Sequence, residues 1–416
     1  MKPATLASVV RAARHLPGFA CFDTDLGHTV VTWGTGPAHT EQAGWRDFVR
    51  GQIAASSPPS KIYSGGVIGW FGYEAGASVE RMPAPVAQRA THDLCLWRTD
   101  GGLNRAAGSG EWTVRGTKAF IQRARALLDK AQGEQSHPLV KRPTETWAPQ
   151  GIEALSGSYI RGVKRILKEV TDGNVYQVNL AWEQGGIQVS DSVAAWLHLR
   201  EVNPALRGCY LRHGGTEIIS NSPELFLEID PLDRTVTSIP VKGTAPAAGG
   251  HESRDLLERS QKERAELTMI VDLVRNDLGR VAKPGTVKAQ QRTIRQCGDL
   301  WHAEQVVSAT LADGRDAVDA MSAAFPPGSV TGAPKVRAME LIRTLEPRPR
   351  GVYTGAIGWF GDGGGAHFNV AIRTATVVDG VGRFHVGAGI VADSSPEHEW
   401  AETLAKADAL ATALGA

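Results

Sequence analysis

The chain has 416 residues, of which 42% are hydrophobic and 21% are charged, and its formal net charge at pH 7 is +1. This size and composition predict a large buried core in one large domain or two. The near-zero charge argues against nucleic acid or an anionic membrane as partner, and no apolar run approaches the roughly 20 residues of a membrane span. Four scattered cysteines without a CxxC pair favour reduced thiols and a cytoplasmic location over a disulfide framework or a zinc site.

The N-terminal part is predicted to hold short helices and strands. Residues 1–22 are mildly apolar but interrupted by Arg11, Arg14 and His15, which predicts a helix and a strand of the fold and no signal peptide. A polar, proline-rich stretch at 136–152 predicts a linker between an N-terminal subdomain, residues 1–135, and a second domain, residues 153–416. Helical spacing covers 45–53 and 117–131, and strand patterns cover 18–22, 30–33 and 94–97.

The second half alternates strands and helices in runs and not in strict βαβ units. This order predicts an α+β fold with a mixed or antiparallel sheet and segregated helices. Helices are predicted at 251–278, from Pro334 to 345, and from Ser395-Pro396 to 414. Strands are predicted at 217–220, 225–229, 235–239, 353–360, 367–377 and 382–390.

One internal echo links the two halves. GVIGWFG at 66–72 is followed much later by GAIGWFG at 355–361. We interpret both as strands whose glycines mark bulges or a close approach of the backbone. Either an old duplication or chance convergence accounts for the echo.

Lys242 lies between a strand-like apolar run and a Gly-Thr turn, in the sequence SIPVKGT at 238–244. A half-buried lysine there would have a lowered pKa, because desolvation disfavours the ammonium form, and its neutral amine could act as a nucleophile. The alternative is a lysine at a strand end whose ammonium group reaches water.

Two pairs of glutamates have the spacing of metal ligands. Glu263 and Glu266 are three residues apart on one predicted helix, and Glu399 and Glu402 are three apart on another, so each pair projects from one helical face. Carboxylate oxygens in such an arrangement suit Mg²⁺. The alternative is a solvated acidic face.

Five further blocks accompany the lysine: NSPELF at 221–226, VDLVRNDL at 271–278, VTGAPK at 330–335, VYTGA at 352–356 and VGAGI at 386–390. In order and spacing they resemble the chorismate-using enzymes, a group that includes anthranilate synthase component I, aminodeoxychorismate synthase component I, isochorismate synthase and salicylate synthase. The likeness covers about 159–414. The lysine in the PVKGT block makes this chain similar to aminodeoxychorismate synthase component I, since the other relatives usually have alanine at that position. The resemblance implies a large two-layer α/β sandwich with mostly antiparallel sheets and the active site in a cleft between them.

The resemblance also implies roles for individual residues. Glu266 and Glu402 correspond to Mg²⁺ ligands, with Glu263 and Glu399 close by. Glu224 corresponds to the general acid for the departing C4 hydroxyl, which requires a pKa raised by burial. The expected substrate-binding residues are Gly243, Thr244, Gln305, Thr331, Tyr353, Arg373, Gly387, Gly389 and Lys406, of which Tyr353 and Arg373 correspond to residues that hold the side-chain carboxylate.

Two positions depart from the patterns of relatives. Aligned on Val306-Val307-Ser308, the family's histidine near the C4 hydroxyl becomes Gln305, which cannot carry a proton, and His302 is a possible substitute. Gln177 stands where isochorismate and salicylate synthases have a lysine that activates water. Gln177 cannot act as a base, so the resemblance implies attack at ring carbon C2 by Lys242.

The activity implied is Mg²⁺-dependent amination of chorismate at C4, giving 4-amino-4-deoxychorismate for 4-aminobenzoate and folate synthesis. Family component I proteins take ammonia from a glutamine amidotransferase. The chain has no G-x-C-x-G glutaminase motif, so we expect that partner to be a separate polypeptide. The alternatives are anthranilate synthase component I, isochorismate or salicylate synthase, and a non-catalytic paralogue that binds chorismate or the amidotransferase.

Overall fold

The computed structural model describes residues 4–24, 27–34, 36–53, 57–80, 82, 91–132, 147, 149 and 151–415, so most of the predicted linker at 136–152 lies outside the described residues. The helices are α1 (Leu6–Ala13), α2 (Trp45–Gln52), α3 (Lys118–Ala131), α4 (Ile152–Thr171), α5 (Ser192–Val202), α6 (Gly250–Arg259), α7 (Gln261–Gly279), α8 (Ala317–Ala324), α9 (Lys335–Leu345) and α10 (Pro396–Leu414), with short 3₁₀ helices at Tyr73–Ser78, Ala247–Gly249 and Gly328–Val330.

The strands are β1 (Phe19–Asp23), β2 (Thr29–Thr32), β3 (Gly66–Phe71), β4 (Leu94–Thr99), β5 (Gly101–Arg105), β6 (Trp112–Gly116), β7 (Gln177–Gln188), β8 (Arg207–His213), β9 (Thr216–Ser222), β10 (Leu225–Ile229), β11 (Thr235–Ile239), β12 (Val241–Pro246), β13 (Lys288–Ala289), β14 (Thr293–Cys297), β15 (Leu300–Glu304), β16 (Val307–Thr310), β17 (Gly332–Ala333), β18 (Ala356–Gly361), β19 (Ala366–Val370), β20 (Thr374–Val378) and β21 (Val381–Ile390).

These strands form two large sheets and one small one. The ten-stranded sheet has the order β17-β7-β21-β20-β9-β8-β1-β2-β5-β6, the eight-stranded sheet β13-β16-β11-β10-β19-β18-β3-β4, and the small sheet β12-β15-β14. The neighbouring strands pair antiparallel, for example β7 with β21 and β3 with β18. The predicted α+β class with large antiparallel sheets is therefore confirmed. In both large sheets, a strand that precedes residues 136–152 in the chain pairs with a strand that follows them: β1 with β8 in one sheet, and β3 with β18 in the other.

The large sheets pack face to face, and helices cover their outer faces. Alternate residues of a strand point to opposite faces, so Ile68 and Trp70 of β3 pack between the sheets with Phe22 of β1. Val67 and Phe71 of the same strand face the other way, into the cluster that includes helices α2, α7 and α8. Among the described residues, no helix has the combination of length and apolar character that a membrane crossing needs. All four cysteines are buried free thiols.

The echoed segments are neighbouring strands. β3 and β18 pair antiparallel, with Gly69 opposite Gly358. A Cβ atom at Gly69 would lie 1.9 Å from the carbonyl oxygen of Cys95, and one at Gly358 would lie 1.9 Å from that of His367. The predicted close backbone approach is therefore confirmed at both glycines. Gly69 lies against the backbone of β4, and Gly358 lies against that of β19.

Two predicted elements are each divided in the structure. The helix predicted at 251–278 is α6 followed by α7, because the Ser260 side chain accepts a hydrogen bond from the Glu263 amide and caps α7. The strand predicted at 367–377 is β19 in one large sheet and β20 in the other. The chain crosses between the sheets at 371–373, where Arg373 has a φ of +50°. This crossing carries the Arg373 side chain to the cavity described next.

Candidate active site

A cavity of about 280 Å³ lies where the three sheets meet. Its walls are β7 and β21 of the ten-stranded sheet, β12 and β15 of the small sheet, the segments that precede β10 and β20, and the facing helices α7 and α10. The structure brings together here all but two of the predicted site residues: Glu224, Lys242, Gly243, Thr244, Glu263, Glu266, Tyr353, Arg373, Gly387, Gly389, Glu399, Glu402 and Lys406.

Lys242 points into this cavity from β12. Its side chain is 13% exposed, and its Nζ atom lies 4.0 Å from an Oε atom of Glu266. A Cβ atom added to Gly389 would lie 2.7 Å from the same Nζ atom, so the amine lies directly over the Gly389 backbone. The sequence left open whether the Lys242 amine is half-buried or reaches water. In the structure the amine is enclosed by the cavity.

Glu224 lies in the loop between β9 and β10 and is buried. Burial raises the pKa of its carboxyl group to about 7, although a hydrogen bond from Ser329 and the charges of Lys242 and Arg207 act in the opposite direction. A carboxyl group with this pKa retains a proton near neutral pH. Glu224 therefore has the protonation that a general acid requires.

Four glutamates form the helical wall of the cavity, Glu263 and Glu266 on α7 and Glu399 and Glu402 on α10. Burial raises the pKa of Glu266 and of Glu399, and neighbouring carboxylates raise both further. Burial acts to raise the pKa of Glu402, but the positive charges of Lys406, whose Nζ lies 2.5 Å from an Oε atom, Lys242 and His398 together lower it. The helical wall therefore concentrates negative charge that the protein neutralises only in part.

In the part of the chain that the structure describes, no group of three or more His, Cys, Asp or Glu side chains is already arranged to hold a metal ion. Mg²⁺ takes only a few protein carboxylates and completes its octahedron with waters and an anionic substrate. Partly neutralised carboxylates that face one cavity from two helices, such as Glu266 and Glu402, fit that donor set.

Cationic and neutral donors line the rest of the cavity. Arg373 is held there by the crossing between the sheets, and Lys406 on α10 donates to the Gly387 carbonyl oxygen at 3.4 Å. Burial raises the pKa of the Tyr353 phenol to about 12, although the nearby Arg350 lowers it, so the hydroxyl group is neutral. These groups supply donors for a substrate that carries carboxylates.

Two predicted site residues lie outside the cavity. The Gln305 side chain turns away and donates to the Gln290 carbonyl oxygen at 2.7 Å. Thr331 is fully buried behind the lining, where its hydroxyl donates to the Pro327 carbonyl oxygen. His302, the other candidate for the substrate hydroxyl, does line the cavity, and no described residue makes a hydrogen bond with either of its ring nitrogens.

The His302 ring is neutral. Burial lowers its pKa to about 3, and the charges of Arg373, Lys406 and Arg207 act in the same direction. A neutral imidazole can donate one hydrogen bond and accept another.

Several lining residues were not predicted. Asn179 follows Gln177 by two positions on β7, so strand alternation within a block already singled out would have found it. His398 adjoins Glu399, and Ser329 lies two residues before Thr331. Among the described residues, the unpredicted polar lining residues are Asn179, Lys262, Ser329, His385 and His398.

Comparison with known proteins places this geometry in context. The model of the chorismate binding enzyme family matches residues 27–412. Anthranilate synthase component 1 of Streptomyces coelicolor is 35% identical over 388 residues, which are 86% of this chain and 75% of that protein. Aminodeoxychorismate synthase component 1 of Bacillus subtilis is 40% identical over 261 residues, 62% of this chain and 55% of that protein. The crystal structure of anthranilate synthase component I from Streptococcus pneumoniae shares the fold, with a TM-score of 0.76 at 24% identity, over 96% of this chain and 91% of that one.

Proposed function

Because the chain belongs to the chorismate binding enzyme family, we propose that it is an aminodeoxychorismate synthase component I. It aminates chorismate at C4, with ammonia from a separate glutamine amidotransferase subunit, and forms 4-amino-4-deoxychorismate. The observation that carries the proposal is Lys242, whose amine lies in the cavity over Gly389 and 4.0 Å from Glu266. A protein amine at this place can attack the ring before ammonia does.

Binding of the substrate relies on the two walls of the cavity. Arg373 and the neutral Tyr353 hydroxyl bind the side-chain carboxylate, and Lys406 faces the ring carboxylate. Glu266 and Glu402, with Glu263 and Glu399 beside them, are the residues that would hold Mg²⁺. Bound there, Mg²⁺ would supply Lewis-acid chemistry at the ring carboxylate.

The chemical steps use three side chains of the cavity, Lys242, Glu224 and His302. The Lys242 amine adds to C2, the ring double bonds shift, and the C4 hydroxyl leaves as water with the proton of Glu224. Ammonia then adds to C4, the double bonds shift back, and the Lys242 amine departs from C2. The Glu224 carboxylate accepts the proton that the new amine releases. The neutral His302 donates a hydrogen bond to the C4 oxygen in the first step.

Anthranilate synthase component I is the second candidate, because relatives of both names match the chain. That enzyme would use the same cavity, but its product loses pyruvate and becomes aromatic. Lys242 favours the first candidate, since direct attack by ammonia at C2 needs the space that the lysine side chain fills. A non-catalytic paralogue is disfavoured by His302, which lines the cavity where sequence alignment had suggested a glutamine.

Product analysis separates these candidates. We expect chorismate, Mg²⁺ and ammonium to give an aminodeoxychorismate, identified by mass and by conversion to 4-aminobenzoate when a lyase is added. Anthranilate fluorescence as the main signal from the enzyme alone would overturn the proposal.

The covalent step has its own test. When ammonia is withheld, intact mass should reveal a chorismate-derived adduct on Lys242, and Lys242→Ala should abolish both the adduct and most turnover. Lys242→Arg should not restore activity, because a guanidinium stays protonated and cannot attack. Near wild-type turnover by the arginine variant would reduce Lys242 to a positive charge beside a dicarboxylate.

A further inference from the structure

Arg350 lies directly behind the cavity, is 2% exposed and uses all five of its N–H donors. Its Nε donates to Glu346 at 2.8 Å, and one terminal nitrogen donates to Glu346 and to the Asn179 carbonyl oxygen, both at 2.6 Å. The other donates to the Val330 carbonyl oxygen at 3.0 Å and to the Thr354 hydroxyl at 3.1 Å. Because Asn179 and Val330 line the cavity, this one guanidinium joins separate parts of its wall.

The same guanidinium lies between two tyrosine rings. Its central carbon is 4.8 Å from the ring centroid of Tyr73 and 5.7 Å from that of Tyr353. Cation–π attraction holds a ring over a guanidinium at these distances. The other neighbour of Tyr353 is His385, whose ring stacks on it at 5.5 Å with an interplanar angle of 14°. Arg350 therefore sets one side of the slot that the Tyr353 ring occupies.

The backbone beside Arg350 is held from the N-terminal part of the chain. The Glu74 carboxylate, which is buried, accepts hydrogen bonds from the amide of Arg350 at 2.9 Å and from that of Gly351 at 3.2 Å. The Tyr73 amide donates to the Gly351 carbonyl oxygen at 2.7 Å. Gly351 has a φ of +66°, so these contacts hold the turn that leads to Tyr353.

We propose that Glu74 and Arg350 are positioning residues for Tyr353, so that the 3₁₀ helix Tyr73–Ser78 helps to determine affinity for the side-chain carboxylate of the substrate. The inference rests on the proposed function for the contact between Tyr353 and that carboxylate. Glu74 fixes the turn, Arg350 fixes the ring, and the Tyr353 hydroxyl makes the contact. Loss of Glu74 should therefore weaken substrate binding and leave the chemical groups Lys242 and Glu224 in place.

The test is a double-mutant cycle of Glu74→Gln and Tyr353→Phe, with KM and kcat for chorismate measured on the full chain. Glu74→Gln should raise KM about tenfold with kcat within about threefold of wild type, as expected when binding and not chemistry is lost. In the Tyr353→Phe background the same change should raise KM less than about twofold. The matched control is Glu80→Gln, which makes the same charge change nearby at a carboxylate that pairs with Arg280.

An unchanged KM in Glu74→Gln, or the same tenfold rise in both backgrounds, would overturn the proposal. If Glu74→Gln does not fold, Tyr73→Leu removes one ring from Arg350 without changing a buried charge, and the same cycle is run with it. Calorimetric titration with chorismate keeps this test separate from the proposed function. If the wild-type protein binds chorismate but makes anthranilate, the proposed function is contradicted. The double-mutant cycle then still tests the positioning of Tyr353, because the calorimetric affinities for chorismate replace the KM values.

Discussion

The cavity has two walls of opposite character. The helical wall of α7 and α10 carries Glu266 and Glu399, whose pKa values burial and neighbouring carboxylates raise, so their charged forms are disfavoured in the folded protein. The opposite wall, which β7, β12, β15 and β21 form and which we call the sheet wall, is backed by Arg350, every N–H donor of which meets an acceptor. Functional residues often reduce stability, while supporting residues increase it. The helical wall therefore keeps charge that the protein neutralises only in part, whereas the sheet wall, which carries Lys242, is held in shape by the buried hydrogen bonds behind it.

The largest effect expected is on activity, from the helical wall. Glu266→Gln and Glu402→Gln should each lower the rate about 10³-fold, because several kcal/mol of charge stabilisation are lost and each 1.36 kcal/mol is tenfold in rate. Chelator should abolish wild-type activity and Mg²⁺ should restore it. Glu266→Gln should unfold at the same temperature as wild type or a higher one, since it removes a disfavoured charge.

A matched control is Glu258→Gln on α6, at an exposed carboxylate paired with Arg254. It should change neither the rate nor the unfolding temperature. Full activity of Glu266→Gln at saturating Mg²⁺ would return the glutamates to the role of a solvated acidic face and would remove the contrast between the walls.

The sheet wall should respond in the opposite way, through stability. Arg350→Met leaves Glu346 buried without its counter-charge, and breaking such a pair costs about 3–5 kcal/mol of unfolding free energy. Urea denaturation should report this loss, and Glu346→Leu in the same chain should recover part of it. Arg348→Met, two residues away at a side chain 68% exposed, should cost less than about 1 kcal/mol.

If Arg350→Met unfolds at the wild-type urea concentration, the sheet wall is not the frame that its hydrogen bonds indicate. Because the change also removes a ring contact to Tyr353, a rise in KM should accompany the loss of stability.

The side chains that line both walls were predictable from sequence, and the contacts behind the sheet wall were not. Glutamates three residues apart on one helix fix their own relative direction, so local spacing and the family motifs together identified them. Glu74 and Arg350 are 276 residues apart, and no local pattern relates them. Their contact depends on the antiparallel pairing of β3 with β18, which brings the 3₁₀ helix after β3 to the turn before β18.

Two local errors have the same origin in tertiary structure. The apolar run 367–377 has the pattern of one strand, but the two sheets diverge there and Arg373 turns the chain from one to the other. The motif gave Gln305 at the position of the family's histidine and left His302 as a substitute, because a motif does not show which of the two side chains faces the cavity. Backbone pairing of β15 with β12 and β14 points His302 inward.

The smallest effect concerns pH and belongs to Glu224, which lies between the walls. Its pKa of about 7 in the folded protein exceeds the ordinary value of about 4.3, so the folded state keeps a proton that the unfolded state has lost. The contribution of Glu224 to stability should therefore be greatest below about pH 4, should fall as pH rises toward 7, and should level off above it. Turnover should fall up to tenfold per pH unit above about 7, because the general acid loses its proton.

Glu224→Gln assigns both effects. Its amide does not titrate, so its unfolding free energy should decline less than that of wild type between about pH 4 and 7, and its residual rate should be independent of pH from 6 to 8. His302 does not compete for this assignment, since its pKa of about 3 keeps it neutral throughout that range. A wild-type decline that persists in Glu224→Gln would transfer the titration to the helical wall, where burial also raises the pKa of Glu266 and Glu399. The carboxyl group that titrates would then lie on the helical wall and not in the loop between β9 and β10.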